Sequence, residues 1–409
     1  MMIRELDVIE YTSWCVEQVF PHNCAIVGKL SCIVDANVIQ EAVDVLLDKY
    51  VSLKSCIVAT DGILNFHYDS NAGLQVNNLE KTHDHQADEI MRSELLIPFN
   101  LGQAPLIRVF HLYSKTNSEL VLIVHHAILD ALSMVSILDT LLNLVVSCHT
   151  ATHEPMPFPK PIDARVDIDG KIKPVELVRK AQTDAPVSST EMISVQIPES
   201  DYASLLTIGK SLGVTLQDHL AAACAMSISE FAHQQTGEVY INTPIDLRRY
   251  FTDRHSSFEI GFYSYYVDSN LFIPSDKEIP ELAYDLNQLK NNQLLDQSPC
   301  EQLDKTGKFL SSLSSLDEIS QMTKVDRPGF CLSNVGRLNI SERYRDLELV
   351  DVYLSYNCHG FYQHEDTFSL IVSTFRNTLR LNLHYSKPWV TDAKAQAYLN
   401  RICDYLRGS

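Results

Sequence analysis

The 409-residue sequence lacks a long apolar run, because no segment reaches the roughly 18 apolar residues that a membrane-spanning helix requires. Residues 1–7 include acids and no apolar core, so we expect no secretory signal peptide. Glycine and proline, at 14 and 16 residues, are too few for a collagen-like or low-complexity chain. Since 45% of the residues are hydrophobic, the chain can build the cores of about two to three ordinary domains.

Basic residues are also scarce. The sequence has 33 lysines and arginines against 52 acids, which gives a net charge of −19. This excess of negative charge argues against a non-specific nucleic-acid binder and against binding to an anionic membrane surface. We therefore predict no nucleic-acid partner, although a local group of cations could still bind a phosphorylated co-substrate.

The ten cysteines form no C-x-x-C pair. Several lie in apolar runs, such as Cys224 within Leu220–Met226. We interpret them as reduced, mostly buried thiols and predict a cytoplasmic protein.

The spacing of apolar residues predicts helices and strands in both halves of the chain. The predicted helices span residues 35–50, 84–96, 130–146, 200–212, 216–235, 279–292 and 392–406. The predicted strands span residues 53–58, 63–68, 106–113, 120–126, 193–197, 238–244, 261–267, 329–333, 350–356, 368–374 and 379–384. Because several strands are neighbours joined by short turns, we expect an α/β fold of the α+β type with mixed, largely antiparallel sheets.

Alternating prolines mark a change of character near the middle of the chain. Pro155, Pro157, Pro159 and Pro161 are followed by a stretch rich in charged residues. Such a stiff, extended segment is typical of a connection between domains. We predict an N-terminal domain at residues 1–160, a crossover linker at 161–190 and a C-terminal domain at 191–409.

The most informative segment is a buried strand that runs directly into His125 and His126, with Asp130 at the start of the next helix. Neighbouring side chains on a strand point to opposite faces, so only one of the two histidines can face a cleft. A histidine at a strand end is a suitable general base, because its ordinary pKa lies near neutrality. Asp130 could cap the helix or pair with a distant arginine.

Other interpretations of these residues stay open. A His-His pair on a strand can simply be two side chains with satisfied hydrogen bonds. A metal site of His125, His126 and Asp130 is disfavoured by the opposed faces, and His359 with His364 lacks a third ligand at a suitable spacing. We therefore predict no metal site.

Four segments resemble one superfamily, in its order along the chain. Residues 125–131 (H-H-A-I-L-D-A) resemble the H-H-x-x-x-D-G signature of condensation-domain and chloramphenicol-acetyltransferase-like acyltransferases. Residues 213–218 resemble its G-V-T-x-N-D element, 243–250 its P-V-D-L-R-R element and 330–337 its S-N-x-G strand end. The resemblance extends from about residue 5 to 406 and looks most like stand-alone alcohol O-acyltransferases, including the polyketide-associated acyltransferases of mycobacteria.

The resemblance implies a fold and a set of roles. The fold would be two chloramphenicol-acetyltransferase-like domains with an active-site channel at their interface. His126 would be the general base, and no acyl-enzyme would form. Asp130 would pair with Arg248 and support the site, and His125 would be mainly structural. Ser333 and Asn334 would be donors to the substrate or the oxyanion.

The sequence departs from the family pattern at two positions. Ala131 replaces the usual glycine, which is harmless in a helix. Where the backbone needs a positive φ or a close approach of the substrate, alanine costs about 1 kcal/mol or more and narrows the channel. Gln217 replaces the usual asparagine. The D-F-G-W-G motif of plant acyltransferases is missing, so that branch fits poorly.

The resemblance implies transfer of an acyl group from a thioester to an alcohol, which forms an ester. The donor would be acyl-CoA or a phosphopantetheinyl acyl carrier protein, with no tightly bound cofactor. Cations are available for such a donor: Arg248, Arg249, Arg254, Lys305, Lys308, Lys324 and Arg327. The alternatives are a stand-alone condensation enzyme that forms amides from an amine acceptor, with a synthase carrier domain as partner, and an inactive docking module. Because two domains can complete one site, we predict a monomer.

Overall fold

A computed structural model describes residues 1–147, 154–166, 188–232, 238–251, 258–273, 277–296, 299–313 and 315–408. All predicted helices are present, with ends shifted by a few residues, and three further helices occur. The helices are α1 (Val8–Glu17), α2 (Ala36–Lys49), α3 (Gln86–Leu95), α4 (Ala131–Ser147), α5 (Glu199–Leu212), α6 (Leu216–Phe231), α7 (Ile279–Asp296), α8 (Pro299–Leu310), α9 (Leu316–Thr323) and α10 (Asp392–Gly408).

The predicted strands are also present, together with four that the sequence analysis missed. The strands are β1 (Met2–Glu5), β2 (Asn23–Leu30), β3 (Ser55–Thr60), β4 (Ile63–Tyr68), β5 (Asn77–Glu80), β6 (Ile107–Tyr113), β7 (Ser118–His125), β8 (Ser189–Ile197), β9 (Glu238–Asp246), β10 (Ser264–Phe272), β11 (Gly329–Arg337), β12 (Arg343–Tyr344), β13 (Leu347–Tyr356), β14 (Thr367–Phe375) and β15 (Thr378–Lys387).

Two six-stranded sheets define two lobes. The first-lobe sheet has the order β12-β13-β2-β7-β6-β5, and the second-lobe sheet has the order β10-β9-β11-β14-β15-β8. Most neighbours are antiparallel, whereas β5 runs parallel to β6, and β11 runs parallel to both β9 and β14. The predicted α/β class with mixed, largely antiparallel sheets is confirmed.

The first lobe contains strands from both ends of the sequence. β13 pairs antiparallel with β2, with Val352 opposite Gly28 and Tyr356 opposite Cys24. The last third of the chain therefore returns to complete the first sheet before it re-enters the second. The predicted domain limits at 160 and 191 stay a prediction, and residues 167–187 of the predicted linker lie outside the described residues.

The central strands are built for burial on both faces. Every residue of β7 is buried, as expected for an apolar strand between two layers. One core fills the first lobe and includes Phe262 and Tyr263 from the second half of the chain, whereas a separate core fills the second lobe around Phe330 and Phe368. The two lobes are therefore joined by apolar packing as well as by the chain.

Two local signals explain helices at the site. Asp7 caps α1 by accepting the backbone N–H groups of Ile9 and Glu10, while Glu10 accepts from the backbone of Asp7 in return. At the start of α4, Asp130 Oδ1 accepts from the Ser133 backbone at 2.9 Å. These caps fix where both helices begin beside the site.

The described cysteines have no disulfide, and most are buried, as predicted; Cys148 lies outside the described residues. Within the part of the chain that the structure describes, no helix has both the length and the apolar character needed to cross a membrane.

Candidate active site

A cavity of about 930 Å³ lies between the two lobes. We call its surface on the first lobe the first-lobe wall, which includes Ser13, His22, His126 and Ala131. We call its surface on the second lobe the second-lobe wall, which includes Asp268, Lys324, Arg327, Ser333 and Asn334. A substrate in this cavity would touch both lobes, as the predicted interface channel requires.

His126 follows the last residue of β7 and faces the cavity. Its backbone N–H donates to the His22 carbonyl at 2.9 Å, and its Nδ1 lies 3.0 Å from the Leu129 carbonyl oxygen. Because a carbonyl oxygen only accepts, the neutral ring carries its proton on Nδ1 and a lone pair on Nε2. Within the described residues Nε2 has no hydrogen-bond partner. The lone pair is thus available to a molecule in the cavity.

The surroundings of His126 favour its neutral form. The ring packs against that of Phe262, with centroids 4.4 Å apart. Burial lowers the pKa of His126 below its ordinary value, and the nearby Asp130 carboxylate only partly offsets this effect. The imidazole is therefore unprotonated at neutral pH, which is the form that a general base needs.

His125 points away from the cavity, as alternation along a strand requires. It is fully buried, and its Nδ1 accepts the Ala127 backbone N–H at 3.2 Å. Its Nε2 lies 3.3 Å from Glu17 Oε2 on α1. The residue therefore packs the end of β7 beside the last turn of α1.

Asp130 and Arg248, 118 positions apart, form an ion pair between the lobes. Arg248 Nη1 donates to Asp130 Oδ2 at 2.8 Å, and Nη2 lies 3.3 Å from Oδ1. The carboxylate also accepts the backbone N–H groups of Ser133 and Tyr263, at 2.9 and 3.0 Å. Burial alone would raise the pKa of Asp130, but the guanidinium and these hydrogen bonds outweigh it and hold the pKa below its usual value.

Further contacts fix the Arg248 guanidinium. Nε donates to the Glu259 carbonyl at 2.9 Å, and Nη2 donates to Ser133 Oγ at 2.9 Å. Nη1 also donates to Asp246 Oδ1 at 3.0 Å, and the group lies over the Tyr263 ring. The pair is thus a rigid connection rather than a flexible surface contact.

Ser333 and Asn334 lie on β11 and line the same cavity as His126. Asn334 Oδ1 accepts the Gly336 backbone N–H at 3.0 Å, where the register of β11 against β14 shifts. Gly336 has a positive φ of 75°, which glycine adopts without strain. With its oxygen used in this way, the Asn334 amide can present its N–H groups to the cavity.

The unusual Ala131 causes no visible conflict. It is the first residue of α4 and lines the cavity. Its φ is not positive, and alanine in a helix causes no backbone strain.

The predicted cations divide into three groups. Arg248, Arg249, Lys324 and Arg327 line the cavity. Lys305 and Lys308 lie on α8 and do not line it, and their availability to a CoA donor stays a prediction. Arg254 lies outside the described residues.

Sequence reasoning missed Lys290 and His22, which both line the cavity. Lys290, on α7, lines the cavity and pairs with Asp218. His22 lies just before β2, and its ring centroid is 4.8 Å from that of His126. The available signal for His22 was register: β2 pairs with β7 so that Asn23 faces His125, which brings His22 beside His126. The structure describes no group of three or more metal-ligating side chains in the ranges given above.

The fold and the cavity define a two-lobed α/β protein whose candidate site lies between the lobes. Residues 13–160 match the condensation-domain family model, which confirms the resemblance in the part that carries His125 and His126. No curated protein matches the chain.

Solved structures show the same fold along the whole chain. Polyketide synthase associated protein 5 from Mycobacterium tuberculosis is 14% identical, with 99% of this chain and 98% of that one covered and a TM-score of 0.71. Trichothecene 15-O-acetyltransferase from Fusarium sporotrichioides is 11% identical, with 99% and 95% covered and a TM-score of 0.75. The starter condensation domain of rhizomide synthetase, solved with C8-CoA, is 14% identical, with 100% and 94% covered and a TM-score of 0.69. At these identities the likeness concerns the fold.

Proposed function

We propose that this protein is an acyltransferase that moves an acyl group from a thioester to an alcohol, with His126 as general base. The observation that carries the proposal is the hydrogen bond from His126 Nδ1 to the Leu129 carbonyl, which leaves the Nε2 lone pair toward the cavity. The structural similarity to a trichothecene 15-O-acetyltransferase is consistent with this choice.

In the proposed reaction, His126 Nε2 removes the proton of the acceptor hydroxyl while that oxygen attacks the thioester carbonyl carbon. A tetrahedral intermediate forms, and its carbonyl oxygen carries the negative charge. When the intermediate collapses, the carbon–sulfur bond breaks and the electron pair leaves with sulfur. The thiolate then takes the proton from His126, so no acyl-enzyme is required.

The other predicted residues support this reaction from around the base. Asp130 and Arg248 hold the start of α4, and with it the loop that carries the Leu129 carbonyl. Ser333 and Asn334 are proposed donors to the bound substrate or to the oxyanion. The donor is proposed to be acyl-CoA or a carrier-bound acyl group, used as co-substrate by a monomeric protein.

Thiol release tests the proposal directly. Purified wild type, His126→Gln and the surface control His85→Gln are mixed with acyl-CoAs of several chain lengths, with alcohols, with amines, or with neither. We expect release by the wild type and the control that accelerates with an alcohol, and a loss of roughly 10²–10⁴-fold in His126→Gln. His126→Gln that works as fast as the wild type would refute the role of the base.

The acceptor arms separate the related activities. Faster release with amines than with alcohols would replace ester formation by amide formation at the same site. If no CoA donor reacts, the same panel is repeated with acyl carrier proteins. Absence of transfer from either donor type to either acceptor class would contradict the enzyme proposal.

A further inference from the structure

A second imidazole lies in the cavity beside the proposed base. His22 is 9% exposed and lines the first-lobe wall. Its ring lies at 39° to that of His126, with centroids 4.8 Å apart. The proton transfers described above do not use this residue.

Both sides of the His22 backbone are fixed. Its N–H donates to Glu17 Oε2 at 2.5 Å, and its carbonyl accepts the His126 N–H at 2.9 Å. The ring is fixed as well, since Nδ1 lies 2.8 Å from Ser13 Oγ on α1. His22 is thus positioned relative to His126 by the backbone hydrogen bond between the two residues and by its contacts with α1.

The partner of Nδ1 decides where the His22 ring carries its proton. Ser13 is fully buried, and His22 Nδ1 is its side chain's only hydrogen-bond partner within the described residues. A buried hydroxyl that does not donate is unfavourable, so Ser13 donates to Nδ1 and the neutral ring carries its proton on Nε2. Burial, together with the neighbouring His126 and His125, keeps the pKa of His22 well below its ordinary value, so the ring is neutral.

The two neighbouring rings therefore have opposite tautomers. His126 offers a lone pair at Nε2, whereas His22 offers an N–H at Nε2, which has no partner within the described residues. A hydrogen bond donated to the attacking hydroxyl oxygen would engage the lone pair that must attack the carbonyl carbon. The same donor placed on the thioester carbonyl oxygen would stabilise the charge that develops there.

We infer that His22 Nε2–H donates a hydrogen bond to the thioester carbonyl oxygen and stabilises the oxyanion formed when His126 activates the acceptor. This inference rests on the proposed function. His22 neither gains nor loses a proton in this role. The proton still travels from the acceptor to His126 and then to the leaving thiolate.

Three variants test this inference by thiol release with acyl-CoA and an alcohol. His22→Phe keeps an aromatic ring without a donor, and His22→Gln keeps an N–H donor without a basic nitrogen. We expect kcat to fall roughly 10²–10³-fold in His22→Phe, with KM changed only a few-fold, because an oxyanion donor acts in the transition state. The kcat of His22→Gln should be at least about tenfold higher than that of His22→Phe, since the glutamine amide can still donate.

The third variant, His126→Gln, separates this inference from the proposed function. A His126→Gln variant as active as the wild type would refute the function itself. Loss of activity in His126→Gln, combined with wild-type kcat in His22→Phe, would refute only the role of His22. Equal losses in His22→Phe and His22→Gln would also refute a donor role and point to packing.

A measurement on the wild type covers the case in which His22→Phe fails to fold. Nitrogen-15 NMR of histidine-labelled protein reports which ring nitrogen carries the proton, and His22→Gln assigns the His22 signals. We expect the Nε2–H form for His22 and the Nδ1–H form for His126. An Nδ1–H form at His22 would overturn the inference.

Discussion

The two walls of the cavity differ in the burial and the charge of their polar side chains. On the first-lobe wall, His22 is buried and His126 is half-buried, and both rings are neutral and held by hydrogen bonds. On the second-lobe wall, Ser333 and Asn334 are partly exposed, and Lys324 and Arg327 are exposed. Proton transfer is faster when the position and charge state of the base are fixed before the substrate binds. A large charged donor can instead be attracted by cations at the solvent-accessible surface.

The connection between the walls is a largely buried ion pair. Asp130 and Arg248 join the start of α4 to the turn after β9, with side chains 4% and 10% exposed. If the walls have separate roles, damage to this connection should affect both, whereas changes on one wall should affect only that wall's role.

The largest expected effect follows from breaking the ion pair. Asp130→Asn removes the more buried of the two carboxylates that pair with Arg248 and leaves only Asp246. Removal of one partner of a buried ion pair costs up to about 3–5 kcal/mol of the free energy of unfolding. Denaturant unfolding measures this loss, and thiol release should fall in the same variant. Arg249→Met, a change at the exposed neighbour, should stay within about 0.5 kcal/mol of the wild type. Unchanged stability in Asp130→Asn would show that the pair does not hold the lobes.

An intermediate effect is expected from pH and concerns the first-lobe wall. Since burial lowers the pKa of His126, the acid limb of kcat/KM should have its midpoint below pH 6.5 and fall tenfold per pH unit beyond it. The lowered pKa of Asp130 means that its stabilisation is lost only as pH falls through that pKa, below 3.8, so the fold should persist over this range. A midpoint at or above 6.5 would contradict a buried base.

The smallest expected effect concerns donor binding at the second-lobe wall. Arg327→Gln should raise KM for acyl-CoA a few-fold, because an exposed cation contributes about 1 kcal/mol or less to a phosphate contact. Arg327→Gln should change neither kcat nor the KM for an acyl thioester that lacks the nucleotide part of CoA. Lys305→Gln, on α8 away from the cavity, is the matched control. An equal rise in KM with both donors would argue against phosphate binding.

Sequence reasoning was strongest where the signal is local. The apolar strand before His125 and the helix after Asp130 follow from local patterns, whereas the pairing of Asp130 with Arg248 was implied by the resemblance to a known superfamily. α1 was missed although Asp7 and Glu10 form a readable capping box. His22 depends on the pairing of β2 with β7, and register between distant segments is not written in either segment alone.

The pairing of β13 with β2 in the first-lobe sheet has a consequence for synthesis of the chain. Until residues 347–356 have left the ribosome, the backbone of β2 on that side has no strand to pair with. An unpaired central strand is a site where nascent chains associate wrongly. The first lobe therefore has to wait for the last third of the polypeptide, and a chain cut before residue 343 should depend on chaperones to stay soluble.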